Sequence, residues 1–148
     1  MDQVKTNTNW RHLGEEIIVP PVDAYGFIYA IQDDKGKVYI GKKAFAHQVK
    51  KTLSKKAREL AENSRIRILR TTKDSGWKDY WGSSKELLAY IEERGSTEGF
   101  HRYILKYAAD KQSLSYWETA ILMREGVLFK DTYNGNIAGK YFKGKIHE

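Results

Sequence analysis

Residues 25 to 43 read YGFIYAIQDDKGKVYIGKK, two short apolar runs separated by the polar residues DDKG. Each run contains one tyrosine, Tyr29 in the first and Tyr39 in the second. Aromatic and β-branched residues are typical of strands, while Asp and Gly between two such runs are typical of a short loop. The stretch therefore predicts a β-hairpin that carries the two tyrosines on adjoining strands.

Two stretches after the hairpin have the periodicity of helices. Apolar residues recur every three or four positions from Phe45 to about Asn63, which predicts an amphipathic helix with a basic exterior. The stretch GSSKELLAYIEERG predicts a second helix, which begins with a capping box of Ser83 and Glu86 and ends at Gly95. The basic segment between them has mixed signals and is interpreted as a connection.

The C-terminal third of the chain adds a strand and a helix. FHRYILKYA predicts a third strand. A last helix is predicted from near Ser113, with Leu114, Trp117 and Ile121 facing inward. The resulting order predicts an α/β protein of the α+β type, with a small three-stranded antiparallel sheet flanked by helices.

Length and composition predict one domain in a reducing compartment. The 148 residues suit one core, so residues 25 to 148 are interpreted as the domain and residues 1 to 24, with two prolines, as an extended N-terminal arm. The chain has no cysteine, which excludes disulfides and thiol chemistry. No apolar run approaches the length of a membrane span, and no signal peptide is visible. We expect a cytoplasmic protein with no membrane partner.

Positive charge is concentrated in one part of the chain. Residues 35 to 73 contain thirteen Lys or Arg and two Glu, a net charge of +11, against +7 for the whole chain. Such a block can be a solvated surface, but it also attracts a polyanion, with an affinity that falls steeply as salt rises. The charge distribution favours nucleic acid as a partner.

Several short motifs in order resemble one known family. FIY and YIG in the hairpin, a helix carrying Glu118 and the later YNGN resemble the GIY-YIG nuclease superfamily. WKDYWGSSKELL, followed by Phe100 and the IL pair at residues 104 and 105, is similar to the phage-encoded Seg-type homing endonuclease branch. The resemblance covers roughly residues 25 to 139. It implies a GIY-YIG-like fold and a DNA endonuclease that needs Mg²⁺, or another divalent cation such as Mn²⁺, and no organic cofactor.

The resemblance also implies roles for particular residues. Tyr29 and Tyr39 would lie beside the attacking water, and a tyrosine acting as base would need a lowered pKa. Glu118 would hold the metal, because a single carboxylate completed by phosphate oxygens and waters suits Mg²⁺. Asn134 fits the family asparagine best, with Asn136 as the alternative. Without the resemblance, each of these residues is more simply explained by packing, solvation or turn formation.

One family feature is absent, the arginine about ten residues after the second tyrosine. That spacing falls on Val49 and Lys50. Four cations are candidates for its role, Lys43, Lys50, Arg58 and Lys85, and Lys43 is assigned to the catalytic set. The phosphate and DNA contacts are predicted among the following cations of the chain: Lys42, Lys50, Arg58, Lys85 and Arg102.

Three functions remain open on the sequence alone. The leading interpretation is a metal-dependent DNA endonuclease that hydrolyses phosphodiester bonds in a single step. The alternative is a non-catalytic nucleic-acid-binding module that retains the nuclease fold, which the missing arginine favours and the joint presence of Tyr29, Tyr39 and Glu118 opposes. A ribosome-associated basic protein would account for the charge but not for these three residues.

Overall fold

A computed structural model describes residues 9–52, 54–55 and 68–148 of the chain. Its strands are β1 Arg11–His12, β2 Glu15–Glu16, β3 Gly26–Gln32, β4 Val38–Ala44, β5 Ala46–Thr52, β6 Ile68–Asp74, β7 His101–Ala108, β8 Asn136–Ile137 and β9 Tyr141–Phe142. The helices within the described residues are α1 Lys85–Arg94 and α2 Lys111–Arg124, with short 3-10 turns at Trp77–Asp79 and Val127–Phe129.

The predicted hairpin is confirmed, as strands β3 and β4. The two strands are antiparallel, with Tyr29 opposite Gly41 and Ile31 opposite Tyr39. Side chains alternate between the two faces of a strand, so Tyr29 and Tyr39 lie on the same face as diagonal neighbours. Their ring centroids are 6.1 Å apart.

The main sheet is larger than the predicted three strands. It has five, in the order β2-β1-β7-β3-β4, with β1 parallel to β7 and the other neighbours antiparallel. The two extra strands come from the segment predicted to be an extended arm. Trp10 explains their position, because it is 1% exposed in the core and its Nε1 donates a hydrogen bond to the carbonyl oxygen of Trp77 at 2.7 Å. A buried tryptophan thus carries the adjoining residues to the edge of β7.

The two helices contribute to cores on opposite faces of the sheet. Leu87 and Ile91 of α1 belong to the aromatic core that contains Tyr29. Leu114 and Ile121 of α2 belong to the second core, with the residues of β3 and β4 that point the other way. Gly95 caps the end of α1 as predicted. No helix in the described ranges is long and apolar enough to cross a membrane.

The helix predicted from Phe45 to Asn63 is wrong over its first part. Residues Ala46–Thr52 form β5, which pairs antiparallel with Ile68–Asp74, the strand β6 that was interpreted as a connection. The helix was predicted from only a few apolar positions. In the structure the segment pairs instead with β6, whose Ile and Thr residues favour strands. Leu53 and residues 56–63 of the predicted helix lie outside the described residues.

Candidate active site

The phenol of Tyr29 lies against the backbone of strand β4. The residue is fully buried. A Cβ atom on Gly41 would lie 2.5 Å from the Tyr29 hydroxyl oxygen and 2.7 Å from Cζ, so the close approach requires a glycine. The hydroxyl is buried and has no hydrogen-bond partner among the described residues. The glycine of the YIG motif therefore positions a buried tyrosine hydroxyl that the described residues leave without a hydrogen bond.

We expect Gly41→Ala to displace Tyr29 and to lower the free energy of unfolding by about 1–3 kcal/mol, because the new methyl group overlaps the phenol. Gly135→Ala is the matched control, since a Cβ there meets no atom within 4 Å. The control should stay within about 0.5 kcal/mol of wild type. Urea unfolding of both variants measures the difference, and equal stability would contradict the close approach at Gly41.

The hydroxyl of Tyr39 is bound to the segment that precedes α1. Its oxygen lies 2.8 Å from Ser83 Oγ in a hydrogen bond. Ser83 was predicted to cap the helix, and this prediction is wrong by one residue. The N-cap is Ser84, whose Oγ accepts a hydrogen bond from the Leu87 backbone N–H at 3.2 Å. Because Ser84 caps the helix, Ser83 is left to orient Tyr39.

A third tyrosine, Tyr80, joins the two motif tyrosines and was not predicted from the sequence. Its ring centroid lies 5.8 Å from that of Tyr29, with the rings nearly perpendicular at 84°. Lys43 Nζ lies 4.1 Å from the centroid of the Tyr80 ring, within cation–π range. Tyr80 belongs to the WKDYWGSS motif, which was used for the family resemblance. The resemblance gave no role for this tyrosine.

Arg102 was predicted to contact DNA, and its burial argues against that role. The residue is 3% exposed, and its guanidinium carbon lies 4.7 Å from the ring centroid of Trp10 and 4.4 Å from that of Trp81. Nη1 donates a hydrogen bond to the Tyr80 carbonyl oxygen at 2.8 Å. Burial lowers the pKa of Arg102 to about 10, although Asp79 opposes the shift. Arg102 thus holds the backbone that carries Tyr80.

Both motif tyrosines are neutral phenols near neutral pH. Burial raises the pKa of Tyr29 well above its ordinary value, and the charges of Tyr80, Tyr39 and Glu118 raise it further. Burial also raises the pKa of Tyr39, although its hydrogen bond with Ser83 opposes the shift. A tyrosine acting as base needs a lowered pKa, so these shifts indicate hydrogen-bonding phenols instead.

Glu118 lies on α2 beside strand β4. Its side chain is 23% exposed, and Lys42 Nζ is 3.9 Å from its Oε1. Lys42 also donates a hydrogen bond to Ser115 Oγ at 2.8 Å. The carboxylate also contributes to the raised pKa of Tyr29 and of Tyr39, less than burial and Tyr80 do. All three predicted groups border strand β4, at one edge of the sheet: Tyr39 belongs to it, Tyr29 packs over Gly41, and Glu118 lies beside Lys42 on the other face of the strand.

The donor set at this edge fits a hard divalent cation held by one carboxylate. Burial raises the pKa of Glu118, and Lys42 only partly opposes the shift, so added positive charge would stabilise the carboxylate. In the part of the chain that the structure describes, no three His, Cys, Asp or Glu form a cluster that could hold a metal. A lone carboxylate suits Mg²⁺, which retains waters and binds substrate phosphates.

Asn134 is buried and binds the outer edge of strand β4. Its Oδ1 accepts a hydrogen bond from the Ile40 backbone N–H at 3.0 Å, and its Nδ2 donates to the Ile40 carbonyl oxygen at 2.8 Å. Ile40 lies between Tyr39 and Gly41, so the amide fixes the strand at the site. Since the amide oxygen and nitrogen both bind backbone, Asn134 is a positioning residue.

We expect Asn134→Ala to lower the free energy of unfolding by about 1–3 kcal/mol, because the buried Ile40 N–H and carbonyl lose their partners. Asn136→Ala is the control for the alternative asparagine. Asn136 is exposed and accepts one hydrogen bond, from the Gly139 backbone N–H at 2.9 Å. Its removal should cost about 0.5 kcal/mol or less. Chemical denaturation compares the two, and a larger loss in Asn136→Ala would contradict this account.

The remaining predicted cations are not all at this site. Lys42 and Lys43 lie on β4 beside it. Lys85 is exposed at the first residue of α1. Lys50 belongs to β5, but its side chain and the whole of Arg58 lie outside the described part of the structure.

Comparison with known proteins identifies the family. The structure has the two motif tyrosines on adjacent strands and Glu118 on α2, beside Lys42 of β4. The family model described as "Putative endonuclease segE, GIY-YIG domain" matches residues 10–146. The chain therefore belongs to the GIY-YIG nuclease superfamily, in its Seg-type branch. A search of curated proteins and a search of solved structures each returned no match.

Proposed function

We propose that the chain is a magnesium-dependent DNA endonuclease that hydrolyses a phosphodiester bond in a single step. The observation that carries the proposal is the placement of Tyr29, Tyr39 and Glu118 around strand β4. Family membership supports the nuclease activity, with DNA as the substrate. The homing role and the phage origin are proposals that rest on the same resemblance, and the cytoplasmic location is a proposal that rests on the composition of the chain.

The reaction requires one bond to form and one to break. The oxygen of a water molecule bonds to phosphorus, the bond from phosphorus to the 3′ oxygen breaks, the water loses a proton and the 3′ oxygen gains one. Because Tyr29 and Tyr39 are neutral, they orient the water and the phosphate through hydrogen bonds. Lys42 and Lys43 place positive charge on both faces of β4, where it stabilises the anionic phosphate.

Glu118 is the residue that would hold the divalent cation. A bound Mg²⁺ or Mn²⁺ supplies positive charge to the phosphate and lowers the pKa of a coordinated water. Lys42, close to the same carboxylate, keeps a positive charge on this side of the strand when DNA approaches. The tyrosine hydroxyls and Glu118 therefore approach one reacting phosphate from neighbouring positions.

The product ends test this reaction directly. Cleavage of supercoiled plasmid with Mg²⁺ should leave 5′-phosphate and 3′-hydroxyl ends, because the 3′ oxygen is the leaving group. DNA ligase should then reseal the nicked or linear product without prior treatment. Ends that ligase joins only after phosphatase and kinase treatment would contradict the proposed bond cleavage, and a protein that binds plasmid without cutting it would support the non-catalytic alternative.

We expect the basic ribbon, defined as β5 and β6, to contribute much of the DNA affinity. The pairing register sets Lys50 opposite Arg70 and His47 opposite Lys73, so cations recur along the ribbon. Reversing Lys50 and Lys51 of the ribbon, together with Lys55 three residues beyond β5, to Glu should weaken duplex binding and flatten the dependence of log affinity on log salt. Each lost phosphate contact should reduce the slope by about 0.9.

A control with the same charge change separates local contacts from net charge. It reverses three exposed lysines elsewhere in the chain: Lys111, Lys140 and Lys145. Fluorescence anisotropy over a series of salt concentrations gives the slope for both variants. If the two variants lose affinity and slope equally, the basic ribbon makes no specific contact with DNA.

A further inference from the structure

We propose that a cleft beside Glu118, between α2 and the sheet, receives an unpaired nucleobase of the DNA substrate. The inference rests on the proposed endonuclease function and specifies the form of DNA that the enzyme prefers. That form is a duplex with an unpaired base a few nucleotides from the scissile phosphate.

The cleft has the size and floor that a flat aromatic ligand requires. Its volume is about 530 Å³. Small-molecule sites typically occupy about 300–1,000 Å³ and are lined mainly by apolar side chains. The floor is formed by Ala30 and Val38 of the hairpin, by Ile40, and by Ile121 of α2. A nucleobase can reach this floor only after it has left the stack of the duplex.

Trp117 forms the aromatic wall of this cleft. It was predicted to face inward, but it is 37% exposed and lines the opening. Tyr116, 63% exposed, contacts it edge to face with the ring centroids 5.0 Å apart. Stacking on exposed aromatic side chains is the common way in which proteins hold unpaired bases, whatever their sequence. A core role does not explain two adjacent exposed aromatics next to Glu118.

Cations lie where the phosphates of such a nucleotide would pass. Lys106 Nζ is 4.4 Å from the ring centroid of Trp117. Arg124 also lines the cleft, and its Nε lies 3.4 Å from Glu125 Oε2 in an exposed ion pair. Exposed pairs of this kind are weak, so a phosphate can compete with Glu125 for the guanidinium. The charge of these two residues complements a nucleotide rather than an apolar ligand.

The position of the cleft relates it to the reacting phosphate. Trp117 adjoins Glu118 in sequence, and Arg124 lies six residues beyond Glu118, about 9 Å along the helix. One DNA strand advances about 3.4 Å per nucleotide along the duplex axis. The cleft therefore extends from beside Glu118 over a length that corresponds to no more than about three nucleotides. Extruding a paired base costs stacking and pairing energy, so a base that is already unpaired should be favoured.

The test compares two short duplexes that differ only by one unpaired 2-aminopurine. With a chelator present to prevent cleavage, wild type should bind the bulged duplex at least about fivefold more tightly than the paired one. The fluorescence of the 2-aminopurine should fall on binding. Trp117→Leu should abolish the preference and leave affinity for the paired duplex unchanged. The control Phe142→Leu removes another exposed aromatic, 47% exposed, and should keep the preference.

A second variant keeps the proposal testable if Trp117→Leu does not fold. Ala30→Leu fills the floor of the cleft without removing an aromatic and should also abolish the preference. The proposal is overturned if wild type shows no preference, or if the folded variants retain it or lose affinity for both duplexes equally. Failure of wild type to bind either duplex would contradict the proposed endonuclease function itself.

Discussion

Glu118→Gln should reduce the rate of Mg²⁺-dependent DNA cleavage by about 10³-fold or more. Glutamine keeps the size and hydrogen bonding of the side chain but removes the charge that a hard cation needs, and metal stabilisation of the reacting phosphate is worth several kcal/mol. Single-turnover cleavage at saturating DNA measures the loss. Glu93→Gln, an exposed glutamate on α1, is the matched control and should cleave like wild type.

The stability of the same variant separates a chemical role from a structural one. Burial raises the pKa of Glu118, so the folded protein binds a proton more tightly there than the unfolded chain does. The contribution of Glu118 to the free energy of unfolding therefore decreases as the pH rises from its pKa in the unfolded chain through its raised pKa in the folded protein. At neutral pH, Glu118→Gln should be at least as stable as wild type. Cleavage by wild type should fall as pH drops through that raised pKa.

Tyr29→Phe and Tyr39→Phe should each slow single-turnover cleavage by about 10²- to 10⁴-fold, because each loses a positioned hydroxyl. Their stabilities should differ. Tyr29→Phe removes a buried hydroxyl that has no partner among the described residues, so its stability should not fall. Tyr39→Phe loses the hydrogen bond with Ser83 and should be about 1 kcal/mol less stable.

Tyr107→Phe is the control for the loss of a buried tyrosine hydroxyl. Tyr107 on β7 has the other buried hydroxyl that lacks a partner within the described ranges, and the residue lies outside the tyrosine site. Its variant should match Tyr29→Phe in stability and wild type in cleavage rate. If Tyr29→Phe and Tyr39→Phe both cleave at the rate of Tyr107→Phe, the motif tyrosines serve packing and the proposed chemistry is wrong.

The hairpin and its two faces were predicted correctly because the residues that determine them lie close together in the sequence. Alternating apolar residues and a four-residue polar loop specify β3 and β4 without help from the rest of the chain. The placement of Glu118 near the tyrosines is an expectation from family resemblance, and the structure puts Glu118 beside Lys42 of strand β4. Sequence alone did not show that the pKa of both phenols would be raised rather than lowered, because burial depends on distant packing.

The errors arose where distant partners decide the structure. Ala46–Thr52 is basic and has a helical period, but pairing with Ile68–Asp74 makes it a strand. Ser83 and Ser84 are both good caps, and only the position of Tyr39 shows which one is free for another role. Arg102 looked like a surface cation, whereas Trp10, from a distant part of the chain, helps to bury it.

The most direct test of the central proposal is reversible control of cleavage by the metal. Wild type and Glu118→Gln, purified identically, are incubated with supercoiled plasmid and Mg²⁺, then with excess chelator, then with Mg²⁺ restored. Wild type should convert the plasmid to nicked or linear DNA, stop when the chelator is added and resume when Mg²⁺ returns, while the variant leaves the plasmid intact throughout. Cleavage that continues in the chelator, or that proceeds equally in both proteins, would contradict a metal-dependent endonuclease acting through Glu118.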